Sequence, residues 1–314
     1  MVAALCMGMW LMAAGCGGGS SAASSSGALS GNWQLNLVQN YPSASTPITL
    51  SASGFVTQSS ETLSGSIQGP NVISATGLYG CSGVGQLSGT VSGQTVTFSL
   101  NPGGSEFDFT GAMASDSTSI SGTYEALGGG CIAKATSGTF TASLIPALNG
   151  AFTGQLTDSS YMALLGDTNP ISVTGSFTQS SNAGASNATI TGTISATDYP
   201  CFETAYLTGT ISGQSVYLDV YDFKGEQIGT LGLPSGTDAA GSARPATVST
   251  VSDVTVLTGN GDQLSGLSVG QVLSTGQTSS GNPCPPIGPA PQSWDAASVC
   301  LAISSSVSAC QTQQ

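Results

Sequence analysis

Residues 85–100 read Gly85-Gln86-Leu87-Ser88-Gly89-Thr90-Val91-Ser92-Gly93-Gln94-Thr95-Val96-Thr97-Phe98-Ser99-Leu100. Val96, Phe98 and Leu100 alternate with Thr97 and Ser99, the period-two pattern of a strand with one buried face. Ser92-Gly93-Gln94 is a tight turn, so the stretch reads as a β-hairpin. It recurs at 205–220 as AYLTGTISGQSVYLDV, again with Ser-Gly-Gln at its centre.

The likeness extends outward from this hairpin. Cys81 stands to Cys201 as position 85 stands to 205. Upstream, Gly54-Phe55-Val56-Thr57-Gln58-Ser59-Ser60 matches Ser176-Phe177-Thr178-Gln179-Ser180-Ser181 with a small gap. Further back, Leu29-Ser30-Gly31-Asn32-Trp33 matches Leu148-Asn149-Gly150-Ala151-Phe152. Two tandem copies of one module follow, over 29–145 and 146–258. The joint, Ile145-Pro146-Ala147, is too short for free domain motion.

Within a copy, short apolar alternations are separated by turn residues. Trp33, Leu35 and Leu37 form one; Leu63, Gly65 and Ile67 another; Phe107 with Phe109, Ile120 with Tyr124, and Phe140 continue the series. Asn101-Pro102-Gly103-Gly104 and Ser115-Asp116-Ser117 punctuate them. The expected fold is all-β: two tandem antiparallel meanders, each closed as a barrel or folded as a sandwich. Gly65, Gly89, Gly111 and Gly122 fall inside strands, where glycine marks bends or close backbone approach. The region 259–314 reads as a Pro-rich linker and a short cysteine-containing tail. In it, Ser293 would cap a helix from Trp294 to about Ser308.

Composition limits the function. Of 314 residues, 39% are apolar and only 6% charged, so the wet faces must be built from hydroxyls and amides. The net charge is −13, and the only cations are Lys134, Lys224 and Arg244. Nucleic-acid binding needs clustered Lys and Arg to neutralise phosphates, and is excluded. Histidine is absent, which removes the usual general base and the commonest metal ligand. Serines are abundant, but nucleophilic serine chemistry has no histidine base here; no P-loop or dinucleotide fingerprint is present, and no cofactor is implied.

The amino terminus gives the compartment. Residues 2–15 form an apolar run too short to span a bilayer, ending in Ala13-Ala14-Gly15-Cys16. That ending resembles the lipobox of bacterial lipoproteins. The resemblance implies a signal peptide over 1–15, removal before Cys16, and diacylation of the Cys16 thiol as the membrane anchor. Gly17 after the cysteine implies sorting to the outer membrane. Residues 16–28 are Gly/Ser-rich and read as a flexible tether. Gly31-Asn32-Trp33 resembles the opening of lipocalin and avidin-like barrels, which implies an eight-stranded barrel with Trp33 at its closed end.

Six cysteines remain beyond Cys16: Cys81, Cys131, Cys201, Cys284, Cys300 and Cys310. In an exported chain an even number reads as disulfides. Cys81 and Cys131 are the only two in the first copy and are expected to pair. Cys201 is expected to reach the tail, with Cys284, Cys300 and Cys310 left open among fifteen pairings in all.

Candidate sites are few. Glu106 and Asp108 share a strand face, but Phe107 and Phe109 claim the interior, so the acids are expected to face water. Tyr217, Asp219 and Tyr221 share the outer face of one strand, where the first copy has Thr97, Ser99 and Asn101. They could stack a sugar or a partner surface, or serve only as cross-strand pairs. Asp222 and Glu226 would add carboxylates for weak calcium binding; no metal site is assigned. Two functions follow as expectations: a non-catalytic envelope lipoprotein that binds a small apolar molecule or a glycan, or a structural or adhesive surface protein with no cavity. A carboxylate-dependent hydrolase comes third. Inward residues decide between the first two, because large ones fill a barrel and small ones such as Gly175, Gly192 and Gly209 leave space.

Overall fold

The computed structural model describes residues 29–39, 48–69, 73–74, 77–78, 81, 83–130, 135–157, 171–180, 185–196, 203–231, 257–259, 263–268 and 297–303. These residues are all β, with no helix long and apolar enough to cross a membrane among them.

The amino-terminal half forms β1 (Gly31–Gln39), β2 (Ile48–Ser59), β3 (Thr62–Gln68), β4 (Ile73–Ser74), β5 (Gly77–Leu78), β6 (Val84–Ser92), β7 (Thr95–Leu100), β8 (Phe107–Met113), β9 (Ser119–Ala126) and β10 (Thr136–Ile145). Leaving out the small β4–β5 pair, eight antiparallel strands run up and down, and β10 returns to β1 to close a barrel. Closure removes both sheet edges. The strands alternate as the sequence requires: Phe107 and Phe109 are buried, while Glu106, Asp108 and Thr110 face out. Outward Ser and Thr around an apolar interior is the reverse of a membrane-spanning barrel.

Aromatic rings fill that interior. Phe98 stacks on Phe109 at 4.4 Å, and Phe140 meets both edge-on at 5.8 and 5.1 Å. Tyr124 lies 5.8 Å from Phe109, fully buried, with a hydroxyl that has no hydrogen-bond partner. Burial alone pushes its phenol up to about 12. The rings fit because glycines let neighbouring backbones approach. A Cβ on Gly122 would lie 2.1 Å from the Thr110 carbonyl oxygen of the adjacent strand.

Leu29 plugs one end of the barrel. Its carbonyl accepts the Trp33 indole N–H at 2.9 Å, and its own N–H donates to Gln58 Oε1 at 3.0 Å. Gln58 N–H in turn donates to Ser30 Oγ at 2.9 Å. The same latch recurs downstream: Leu148 N–H donates to Gln179 Oε1 at 3.0 Å, and Gln179 N–H to Asn149 Oδ1 at 2.8 Å. This explains why Leu-Ser-Gly/Leu-Asn-Gly and Thr-Gln-Ser-Ser are the stretches the sequence repeats.

The second sheet contains β11 (Gly150–Thr157), β12 (Ile171–Gln179), β13 (Ala188–Ala196), β14 (Ala205–Ser212), β15 (Ser215–Tyr221), β16 (Gln227–Leu231), β17 (Leu257–Gly259), β18 (Gln263–Ser268) and β19 (Ala297–Ala302). Its order is β14-β13-β12-β11-β19-β18-β17-β15-β16, and β14 also pairs with β15. The helix expected over Trp294–Ser308 is corrected here: Ala297–Ala302 is a strand, hydrogen-bonded between β11 and β18. Partners far away in sequence override local helix signals. Nor does Gly175 leave space. A Cβ on Gly175 would lie 2.4 Å from the Phe152 ring, which stacks on Phe177 at 4.5 Å.

Register relocates one match. Gly31 pairs with Val56 and Gly150 with Phe177, so Phe177 corresponds to inward Val56. Phe55, one place earlier, corresponds to Ser176. A one-residue shift reverses the face, and Phe55 points outward from the barrel, where it packs into the second sheet's core.

That outward position lies in a docking patch. Asn32 and Gln34 of β1 lie beside Phe55 and Ser53 of β2, all on the barrel's outer face. The β14–β15 turn, Gly213-Gln214, seats on them. Asn32 Nδ2 donates to the Gly213 carbonyl at 2.8 Å and Asn32 Oδ1 accepts Gly213 N–H at 2.7 Å, as a neighbouring strand would. Gln214 N–H donates to Gln34 Oε1 at 3.1 Å, and the Ser53 and Ser212 hydroxyls meet at 2.9 Å. Asn32 is only 2% exposed, so these bonds are made away from water. Gly213 has φ +56°, and a Cβ there would meet Gln34 Oε1 at 2.2 Å. Only glycine fits both the turn and the contact.

Candidate functional site

The candidate residues sit on the hairpin whose tip makes this contact. Val216, Leu218 and Val220 of β15 point into the core, which forces Tyr217, Asp219 and Tyr221 outward together. The Tyr217 hydroxyl donates to Asp219 Oδ1, and Gln227 Nε2 of β16 donates to the same oxygen at 2.7 Å. Burial, then the hydrogen bond and charge of Asp219, raise the Tyr217 phenol above its ordinary value. Ionising it would remove the donor and set two negative charges side by side. The Tyr217 phenol therefore keeps its proton at neutral pH and remains the donor in this hydrogen bond.

Structure adds a residue that the sequence reading missed. Tyr206 of β14 pairs directly with Tyr221 on the same outer face and is 48% exposed. The signal was available: a two-residue turn at Gly213-Gln214 fixes the register, and that register sets 206 opposite 221. The first copy carries Gln86 where the second has Tyr206. The outer face of this hairpin thus presents Tyr206 and Tyr221 as cross-strand neighbours, with Asp219 and Thr208 in the next pair of the same face. Flat rings next to a hydrogen-bonding carboxylate suit the apolar faces and hydroxyls of a sugar.

Asp222 does not join this face as a metal ligand. It is buried, and its Oδ1 accepts the N–H groups of Lys224 and Glu226 at 2.8 and 2.9 Å, shaping the β15–β16 turn. Among the described residues no three His, Cys, Asp or Glu cluster as a metal site. Glu106 and Asp108 face water as expected, with Asp108 accepting a hydrogen bond from Ser99. Cys81 is buried at one end of the barrel and disulfide-bonded. Cys300 lies on β19. Cys16, Cys131, Cys201, Cys284 and Cys310 lie outside the described residues.

An apolar pocket of about 20 Å³ in the first barrel is lined by Leu29, Trp33, Leu35, Val56 and Phe98 among others. Comparison of the chain with protein-family models, with curated proteins and with solved structures finds no match.

Proposed function

We propose that the chain is a non-catalytic, lipid-anchored protein of the bacterial cell envelope. On this reading it consists of two tandem copies of one β-module and acts through its outer surface rather than by enclosing a ligand. The observation that carries it is the packed interior of the first barrel. A void of about 20 Å³ has room for one water-sized molecule, whereas even a benzene-sized guest needs on the order of 150 Å³. The paired latches at Leu29–Gln58 and Leu148–Gln179 support the tandem-copy reading. The polar outer face of the barrel supports attachment through lipid on Cys16 and not through the strands. Native mass spectrometry of the protein extracted from its own cells in mild detergent tests both parts. A diacyl mass with no bound small molecule is expected. An enclosed ligand or an unmodified amino terminus would overturn the corresponding part.

A second reading, glycan binding, rests on the Tyr206–Tyr221 pair beside Asp219. Titration with a neutral β-linked tetrasaccharide should then shift the ring resonances of these two tyrosines, and Tyr206→Ala should abolish the shift. Unmoved resonances at about 10 mM sugar, a weak-binding limit, would remove this reading.

A further inference from the structure

The docked tip has a twin. Ser92-Gly93-Gln94-Thr95 repeats Ser212-Gly213-Gln214-Ser215 nearly residue for residue, in the same register. The backbone is the same as well: φ is +60° at Gly93 and +56° at Gly213. Their surroundings differ. All four residues of the first tip are exposed, and a Cβ on Gly93 would meet nothing within 4 Å.

We propose that the Gly93 tip is a second docking element. Its partner is a β-module whose first two strands carry the same patch, Asn-x-Gln beside Ser-x-Phe. The contact made by Gly213 specifies that chemistry: an amide side chain that pairs with both backbone groups of the glycine, and a glutamine carbonyl that accepts the next N–H.

Among the described residues no open patch in this chain receives the tip. Its own patch at Asn32, Gln34, Ser53 and Phe55 is filled by Gly213. The equivalent positions on the second sheet are Ala151, Thr153, Thr174 and Ser176, which offer neither amide nor ring. Tip into patch is a head-to-tail contact that would propagate without limit if both ends were competent. Here the second sheet ends the series and the first barrel leaves it open. The second sheet therefore offers no such patch to a further tip, and the free Gly93 tip faces a neighbour of the same construction. Anchorage on a membrane would raise the local concentration of such neighbours.

The inference rests on reading the two sheets as copies of one module, and the test separates the two claims. Gly213→Asn keeps a residue that tolerates positive φ, but its Cβ collides with Gln34 and Ser53 and expels the docked tip. The patch then stands open for the Gly93 tip of another copy. Faster hydrogen exchange at Gln214 reports the opening independently of association. In the full-length chain, Gly213→Asn should show a mass that rises with concentration up to about 1 mM, the scale of weak tethered contacts. Gly93→Asn/Gly213→Asn should stay monomeric. An opened Gly213→Asn chain that remains monomeric, or a double variant that associates equally, overturns the docking role of Gly93 and leaves the tandem-copy reading intact. Should Gly213→Asn fail to fold, Ser212→Arg expels the same tip without altering the glycine, and the same outcomes apply.

Discussion

The outer faces at the starts of the two sheets differ more than their cores. On the first barrel, Asn32, Gln34, Ser53 and Phe55 are covered by the Gly213 turn; on the second sheet, Ala151, Thr153 and Thr174 are exposed and Ser176 is half-buried. Inside, both sheets stack aromatic rings against strand glycines. The difference teaches that the composition of an outer face follows whether it is covered. A wet face needs only hydroxyls. A covered face must give every buried N–H and C=O a partner, and here side-chain amides do so.

The largest expected effect is at the ring. Phe55→Ala should destabilise the chain by about 3 kcal/mol in urea denaturation, as truncation of a buried aromatic does. Ser176→Ala, its counterpart, should change stability by less than about 0.5 kcal/mol. Equal effects would mean that the Phe55 face is not covered. Next comes Asn32→Ala, which leaves the Gly213 N–H and C=O buried without partners and should cost about 2 kcal/mol. Ala151→Asn on the open side should be silent within about 0.5 kcal/mol.

Alkaline pH tests the two sheets separately. Tyr124 in the barrel and Tyr217 on the second sheet both have phenols raised above the ordinary value near 10. Between the unfolded and folded values the unfolded chain releases protons that the folded chain keeps. Stability therefore falls as pH rises above about 10, and Tyr124 accounts for about 1.4 kcal/mol of the loss at about pH 11. Tyr124→Phe should flatten that slope, followed by denaturation at stepped pH with phenolate absorbance as the readout. The smallest effect is Ser53→Ala, about 0.5 kcal/mol for one hydroxyl pair, against none for Thr174→Ala.

Much of the barrel was legible because alternation and turn chemistry are local. Phe107 and Phe109 announced the interior, and Glu106 and Asp108 the exterior. The tail was not legible. The strand character of Ala297–Ala302 comes from β11 and β18, contacts that no window of sequence contains. The docking patch was hidden for a related reason. Asn32 and Gln34 fit the polar half of an alternating strand, and only the arrival of Gly213 makes them buried. Aligning Phe55 with Phe177 concealed it further, since a ring facing out was matched with a ring facing in. On the candidate face, Tyr217, Asp219 and Tyr221 were legible from strand period, while Tyr206 needed the hairpin register.

Hydrogen exchange at two glycines tests the central contrast most directly. Gly93 and Gly213 sit in the same turn with the same neighbours, so their intrinsic exchange rates are matched. Gly213 N–H donates to buried Asn32 Oδ1, whereas Gly93 is exposed and a Cβ on it would meet nothing within 4 Å. Gly213 should exchange roughly a hundredfold or more slowly, its opening tied to undocking of the sheets, while Gly93 exchanges near the unprotected rate. Equal rates at the two glycines would contradict the docked arrangement.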